Sequence, residues 1–128
     1  MNTPNIILSQ EDYEKISQLI YQNDSDIAAL LEEELSRADL VPQTELPANV
    51  VAMRSQVTYK DSVTGQESTI TLVYPHEANL AENRISILAS VGAALIGLKE
   101  GAAIQWPLPN GTKKEFKVVK VSQETLLV

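Results

Sequence analysis

The sequence predicts an α+β fold: a short N-terminal antiparallel helical hairpin followed by an antiparallel β-sheet domain with one short helix. Three observations lead there. The hydrophobic period changes from about 3.6 residues to about 2 on passing along the chain. Pro42 and Pro47 bracket an aperiodic stretch between the two patterns. The charge changes at the same place: residues 1–49 hold 10 acids and 2 bases, net -8, whereas residues 50–128 hold 7 acids and 8 bases, net +1. The expected organisation is a helical hairpin, a short coiled coil, over residues 1–41, a linker over 42–49 and a sheet domain over 50–128.

Each element has a local signal. Ser9 followed by Gln10, Glu11 and Asp12 supplies a capping hydroxyl and first-turn acids, with Leu8 and Tyr13 at staple positions, so a first helix is expected over Gln10–Asn23. Tyr13, Ile16, Leu19 and Ile20 form its apolar stripe. Asp24 or Ser25 can cap a second helix over Asp26–Leu40, whose stripe is Ile27, Leu30, Leu31, Leu35 and Ala38 and which Pro42 must end. Helices of this length span about 20 Å and are marginal in isolation, so they should dock on the rest of the chain. Beyond the linker, Val57 and Tyr59 alternate with polar residues, Asp61–Gly65 supplies a turn, and Ile70, Leu72 and Tyr74 alternate again, which is a hairpin. Ile85 and Ile87 mark a third strand, Ala102–Trp106 a fourth, and Glu115–Val121 a fifth after the Asn110-Gly111 turn. Between the third and fourth, Val91–Leu98 has the length of a two-turn helix, and Gly92, Gly97 and Gly101 serve turns and packing rather than a phosphate loop.

Composition removes most enzyme classes. With 128 residues the chain is one compact unit. It has no Cys and a single His, His76, so thiolate nucleophiles, cysteine-based metal sites and multi-His chemistry are excluded. The Glu32-Glu33-Glu34 run has no His or Cys beside it and reads as a solvated helix face; no metal is expected. A net charge of -7 argues against direct DNA binding. No segment approaches the ~20 apolar residues that span a bilayer, and Met1–Leu8 lacks the basic start and long apolar run of a secretion signal. A cytoplasmic protein without a membrane partner is expected.

The run Ile85-Ser86-Ile87-Leu88-Ala89-Ser90-Val91-Gly92-Ala93-Ala94-Leu95-Ile96-Gly97, continuing through Lys99-Glu100-Gly101 to Pro109-Asn110-Gly111 and Phe116-Lys117-Val118, resembles the C-terminal domain of the bacterial Gre transcript-cleavage factors. Leu72-Val73-Tyr74-Pro75, together with Val91-Gly92-Ala93-Ala94-Leu95-Ile96-Gly97-Leu98 and the short N-terminal hairpin, looks closer still to the regulators of nucleoside diphosphate kinase within that group. The resemblance implies an FKBP-like sheet domain and a regulator, not an enzyme, that docks on RNA polymerase near its secondary channel without a cofactor. The docking loop of such factors maps to Leu88, Ala89, Ser90 and Val91, with serine at position 90 where they usually carry proline. Gre factors hold a catalytic magnesium on an Asp and a Glu three positions on, at the tip of a long coiled coil. At this hairpin tip Asp24 is followed three positions on by Ile27, and Asp26 by Ala29. The expectation is therefore no transcript cleavage by this chain, competition with Gre factors for polymerase, an influence on nucleoside diphosphate kinase levels, and a monomer.

Other readings stay open. An FKBP-like fold can isomerise prolyl bonds in an aromatic pocket, for which Tyr59, Tyr74, Trp106 and Phe116 are the available side chains, although core packing accounts for them. A cleavage-stimulating Gre factor is a further alternative. Lys113, Lys114, Lys117 and Lys120 could bind nucleic acid. Lys117 and Lys120 have opposite strand parity, so no single stripe is expected, and a solvated edge strand or a contact with an acidic partner helix accounts for them as well.

Overall fold

The computed structural model describes residues 5–23, 25–107 and 112–123. Its elements run β1 Ile7–Ser9, α1 Gln10–Tyr21, α2 Asp26–Ser36, β2 Asp39–Val41, β3 Gln56–Asp61, β4 Glu67–Val73, β5 Arg84–Ser86, α3 Ser90–Leu95, β6 Ala103–Pro107 and β7 Lys113–Ser122. The fold is α+β. β1 and β2 form a two-stranded parallel ribbon, and the other strands form a sheet in the order β5-β4-β3-β7-β6.

The helices begin where the capping chemistry places them. The Ser9 hydroxyl accepts from the Asp12 amide at 3.1 Å, and the Ser25 hydroxyl accepts from the Ala28 amide at 3.1 Å, which satisfies donors that the first turn leaves free. α1 buries Ile16, and α2 buries Ala28, Leu31 and Leu35. The second helix stops at Ser36 instead of reaching Leu40. The Ser36 hydroxyl bonds back to the Glu33 carbonyl at 2.7 Å, and the Asp39 amide leaves the helical path to bond the Ile6 carbonyl at 2.9 Å. The backbone of 39–41 thereby gains a sheet partner that a lengthened helix would forgo. The first helix stops at Tyr21, although the Gln22 and Asn23 amides still bond back into its last turn.

The sheet is mixed, not antiparallel as its alternation predicted. β3 is antiparallel to β4 and to β7, and β6 is antiparallel to β7, but β5 runs parallel to β4 with Leu72 opposite Ile85. Residues 74–83 carry the chain back through two 3₁₀ turns, Pro75–Glu77 and Leu80–Glu82, and through Asn83 at φ 58°. Alternation reports which face a residue occupies and says nothing of strand direction. A second departure lies in β7: Thr58 pairs with Lys120 whereas Tyr59 pairs with Val118, so Val119 is an extra residue in a β-bulge. Phe116, Val118 and Val121 are buried while Lys117 and Lys120 are both exposed. The two lysines therefore share a face, against the parity argument. α3 ends at Leu95, before the expected Leu98, and Gly97 follows at φ 79°.

One core joins the hairpin to the sheet. Ile6, Leu8, Ile16 and Leu31 lie in the same buried cluster as Leu72, Ile87, Leu95 and Ile96. Each such side chain contributes about 1.5–3 kcal/mol on full burial. A seam of backbone bonds runs through this cluster: the Ile7 amide bonds the Gly97 carbonyl at 3.1 Å, and the Gly97 amide bonds the Val51 carbonyl at 2.9 Å. A Cβ at Gly97 would lie 2.7 Å from the Ile6 Cβ, so the N-terminal segment crosses here because the residue beneath it has no side chain.

Asp12 adds a polar tie. Its Oδ2 accepts from the Met53 amide at 3.2 Å, and its Oδ1 accepts from the Tyr74 hydroxyl at 3.3 Å. Burial holds its carboxyl above the ordinary value of 3.8, and the two hydrogen bonds oppose that shift. A raised carboxyl binds its proton more readily folded than unfolded, so the ionised group costs stability at neutral pH, and that cost fades as pH falls through the folded pKa. In Asp12→Asn the amide oxygen can serve Met53 and the amide nitrogen can donate to the Tyr74 oxygen. The variant is expected to melt above the parent at pH 7, with the gap closing as the pH falls toward about 4. Thermal unfolding followed across that range checks this, and a gap independent of pH would contradict it.

Candidate partner-docking surface

β5 ends at Ser86, and residues 87–89 turn the chain into α3. The Ser86 hydroxyl accepts from the Leu88 amide at 3.0 Å, and the Ser86 carbonyl accepts from the Ala89 amide at 2.9 Å. Both bonds fix the loop from its first residue. Its other end is fixed by contact: a Cβ at Gly92 would clash with the Ser86 carbonyl and lie 2.9 Å from Leu72 Cδ1. α3 can sit this close to β5 only with glycine there. Leu88, Ala89, Ser90 and Val91 are each half-buried, so the loop presents apolar surface without being part of the interior. Ala89 is the residue preceding the helix and makes no side-chain cap; Ser90 is the first helical residue, and Ser86 supplies the stabilising hydroxyl instead.

Val91 opens onto a groove of about 250 Å³ on the inner face of the sheet, lined also by Tyr59, Asp61, Gln66, Ser68, Lys114 and Phe116. The β3–β7 pairing brings Tyr59 and Phe116 together edge to face, with ring centroids 5.6 Å apart. At its rim Lys114 pairs with Asp61 at 3.1 Å. The Val63 amide, at 2.9 Å, and then the Lys114 ammonium hold the Asp61 carboxyl below its ordinary range. The groove thus has an aromatic and aliphatic floor with one ion pair at its edge. Of the aromatic side chains weighed from the sequence, Tyr59 and Phe116 line it, whereas Tyr74 and Trp106 are buried elsewhere.

The hairpin tip is a separate place. Asp26 is exposed in the first turn of α2, where a carboxylate favours the helix N-terminus; Asp24 lies outside the described residues. α1 carries the chain about 18 Å from the seam over its 12 residues, so the tip and the loop Leu88–Val91 are not brought together. Among the described residues no group of His, Asp or Glu is placed to hold a metal ion, and Glu34 of the acidic run pairs with Arg37. No helix among the described residues is long and apolar enough to cross a membrane.

Sequence reasoning missed a second cluster that braces the sheet end nearest the hairpin. Arg54, at φ 67°, turns its guanidinium to Glu77 at 2.7 Å, and its Cζ lies 5.8 Å from the centre of the Tyr74 ring. The Arg54 bond holds the Glu77 carboxyl below its ordinary range. A non-glycine residue with positive φ has no signature in a single sequence.

The geometry around Ser90 makes a proline there admissible. Ala89, at φ -80° and ψ 152°, already has the extended conformation that a residue before proline requires. The Ser90 amide, at the first helical position, has no hydrogen-bond partner among the described residues. Ser90→Pro is expected to stabilise the fold by about 0.4–1 kcal/mol through the unfolded chain's entropy. A urea midpoint that rises at unchanged slope checks it; a fall of that size would contradict the geometry.

The chain is similar to known proteins along nearly its whole length. The family described as transcription elongation factor GreA/GreB, C-terminal, matches residues 46–123, and the Rnk N-terminus matches residues 4–41. The regulator of nucleoside diphosphate kinase of Escherichia coli K12 is 35% identical over 97% of this chain and 93% of its own length. The transcription elongation factor GreA of Syntrophomonas wolfei is 34% identical over 73% of this chain and 58% of its own. A solved GreA/GreB elongation factor from Nitrosomonas europaea superposes with a TM-score of 0.75 at 38% identity, covering 94% of this chain and 99% of that one. The chain belongs to the GreA/GreB transcription elongation factor family, with an Rnk-type N-terminus.

Proposed function

We propose that this chain is a transcription regulator that binds RNA polymerase near its secondary channel and catalyses no reaction of its own. The contact is the loop Leu88–Val91 together with the Tyr59–Phe116 groove onto which Val91 opens. The observation that carries this reading is the construction of that loop: half-buried apolar surface held at one end by Ser86 and at the other by the Gly92 contact. A surface held this firmly loses little conformational entropy when a partner covers it. The sheet domain over residues 50–128 acts as the FKBP-like anchor, residues 42–49 as a linker, and the hairpin over residues 1–41 as an inward-pointing arm in a monomeric cytoplasmic protein.

The arm is too short and chemically wrong for transcript cleavage. Magnesium catalysis needs carboxylate oxygens at about 2.0–2.1 Å from the metal, and Asp26 has Ala29, not an acid, three positions on. Occupying the docking surface without this chemistry makes the chain a competitor of cleavage-active relatives. An influence on nucleoside diphosphate kinase levels would then be exerted through transcription.

Purified protein is expected to bind core RNA polymerase, to leave backtracked complexes uncleaved, and to inhibit a cleavage-active Gre factor as it is titrated in. Ala89→Asp with Ser90→Asp places new charge in the contact and should weaken binding by about 1–3 kcal/mol with an unchanged circular dichroism spectrum. Unaltered affinity of the double variant would remove the loop from the contact. Cleavage that vanishes in Asp26→Asn would assign the tip a catalytic part.

A further inference from the structure

The bulge at Val119 reshapes the electrostatics of the sheet's outer face, which looks away from the hairpin and α3. Lys113 and Lys117 lie on this face by strand parity, and the extra residue returns Lys120 to it. On β3, Lys60 stands directly opposite Lys117. All four side chains are exposed, and none forms an ion pair among the described residues. Elsewhere every cation but the exposed Lys99 is engaged: Arg37, Arg54, Arg84 and Lys114 have carboxylate partners, and Lys15 lies 5.9 Å from the Tyr74 ring centre. Of the 10 basic residues, the free ones are thus concentrated on one face of a chain whose N-terminal part is strongly acidic.

We propose that this face binds an acidic peptide segment of a partner protein, independently of the docking loop. Charge complementarity selects the occupant. Like charges placed side by side on adjacent strands, as Lys60 and Lys117 are, repel each other unless an anion lies between them. The pattern favours discrete carboxylates over a continuous polyphosphate. Glu67 stands opposite Lys60, and Glu115 stands between Lys113 and Lys117, so a nucleic-acid backbone laid along the strands would meet carboxylates as well as ammonium groups. The aromatic side chains of β3 and β7, Tyr59 and Phe116, lie on the opposite, groove-lining face, so these strands offer no platform on which bases could stack. The acidic hairpin is on the far side of the core, and salt screens its charge over about 8–10 Å.

The test is an amide chemical-shift titration of the full chain with a capped Glu-Ala-Ala-Asp repeat peptide, and with a single-stranded RNA of equal charge as the competing arm. The peptide is expected to shift the Lys60, Lys117 and Lys120 signals, to lose affinity as salt rises, and to lose about tenfold in Lys117→Glu with Lys120→Glu. Lys99→Glu, an exposed position off this face, should leave the affinity unchanged. Four results would overturn the proposal: no shifts on β3 and β7, an equal loss in Lys99→Glu, tighter binding of the RNA to this face, or self-association through the hairpin in place of peptide binding. Because the probe is a peptide, failure here leaves the polymerase contact untouched, and failure of that contact leaves this face untouched.

Discussion

The fold depends on the crossing of the N-terminal segment over Gly97. There the Ile7 amide bonds the Gly97 carbonyl, the Asp39 amide bonds the Ile6 carbonyl, and the Gly97 amide bonds the Val51 carbonyl. These bonds tie the two ends of the hairpin to each other and, through Ile7, to the segment that follows α3. The absent side chain at Gly97 lets Ile6 and Leu8 sink to near-complete burial. Everything beyond inherits its position: α1 starts at the end of β1, α2 returns to β2, and α2 packs against both α1 and α3. Asp12 then reaches Met53 and Tyr74 on the sheet side. A hairpin held at its base in this way points in a fixed direction, which a free amphipathic hairpin of this length could not do.

That constraint separates the surfaces. The inner face of the sheet receives α3 and leaves the Tyr59–Phe116 groove open beside Val91; the outer face is left to the lysines of β3 and β7; the hairpin carries the acidic charge away from both. This layout keeps the apolar loop and groove, the lysine face and the acidic hairpin apart as three separate surfaces. The short hairpin follows from the same design. With both of its ends fixed at the seam, reach is set by the 12 residues of α1 and the 11 of α2.

What was legible in the sequence was what is encoded locally. Ser9 and Ser25 start the two helices because capping is a matter of three or four residues. β3, β4, β6 and β7 follow from alternation, since one face of each is buried. β1 and β2 were invisible because three-residue strands have no period to read, and the end of α2 was misplaced because Asp39 answers to Ile6, far away in sequence. The direction of β5 depends on the two 3₁₀ turns before it, and the shared face of Lys117 and Lys120 depends on one bulged residue. The loop Leu88–Val91 came from resemblance alone; its physical basis, the Ser86 bonds and the Gly92 contact, appears only in three dimensions. The groove needed Tyr59 and Phe116 to be brought together by pairing, and Asp12, legible as a first-turn acid, acquires its tie only when Tyr74 folds beside it.

The seam makes a single demand on dynamics. If it fixes the hairpin, the hairpin and sheet open together. Native-state hydrogen exchange measures this directly, because the amides of Ile7, Asp39 and Gly97 lie in the seam whereas those of Leu72 and Val118 lie in the sheet. Exchange of all five with the same opening free energy, equal to that of global unfolding, is the predicted result. Exchange of the seam amides through an opening several kcal/mol cheaper, with Leu72 and Val118 still protected, would show a hairpin that swings free and would contradict the account.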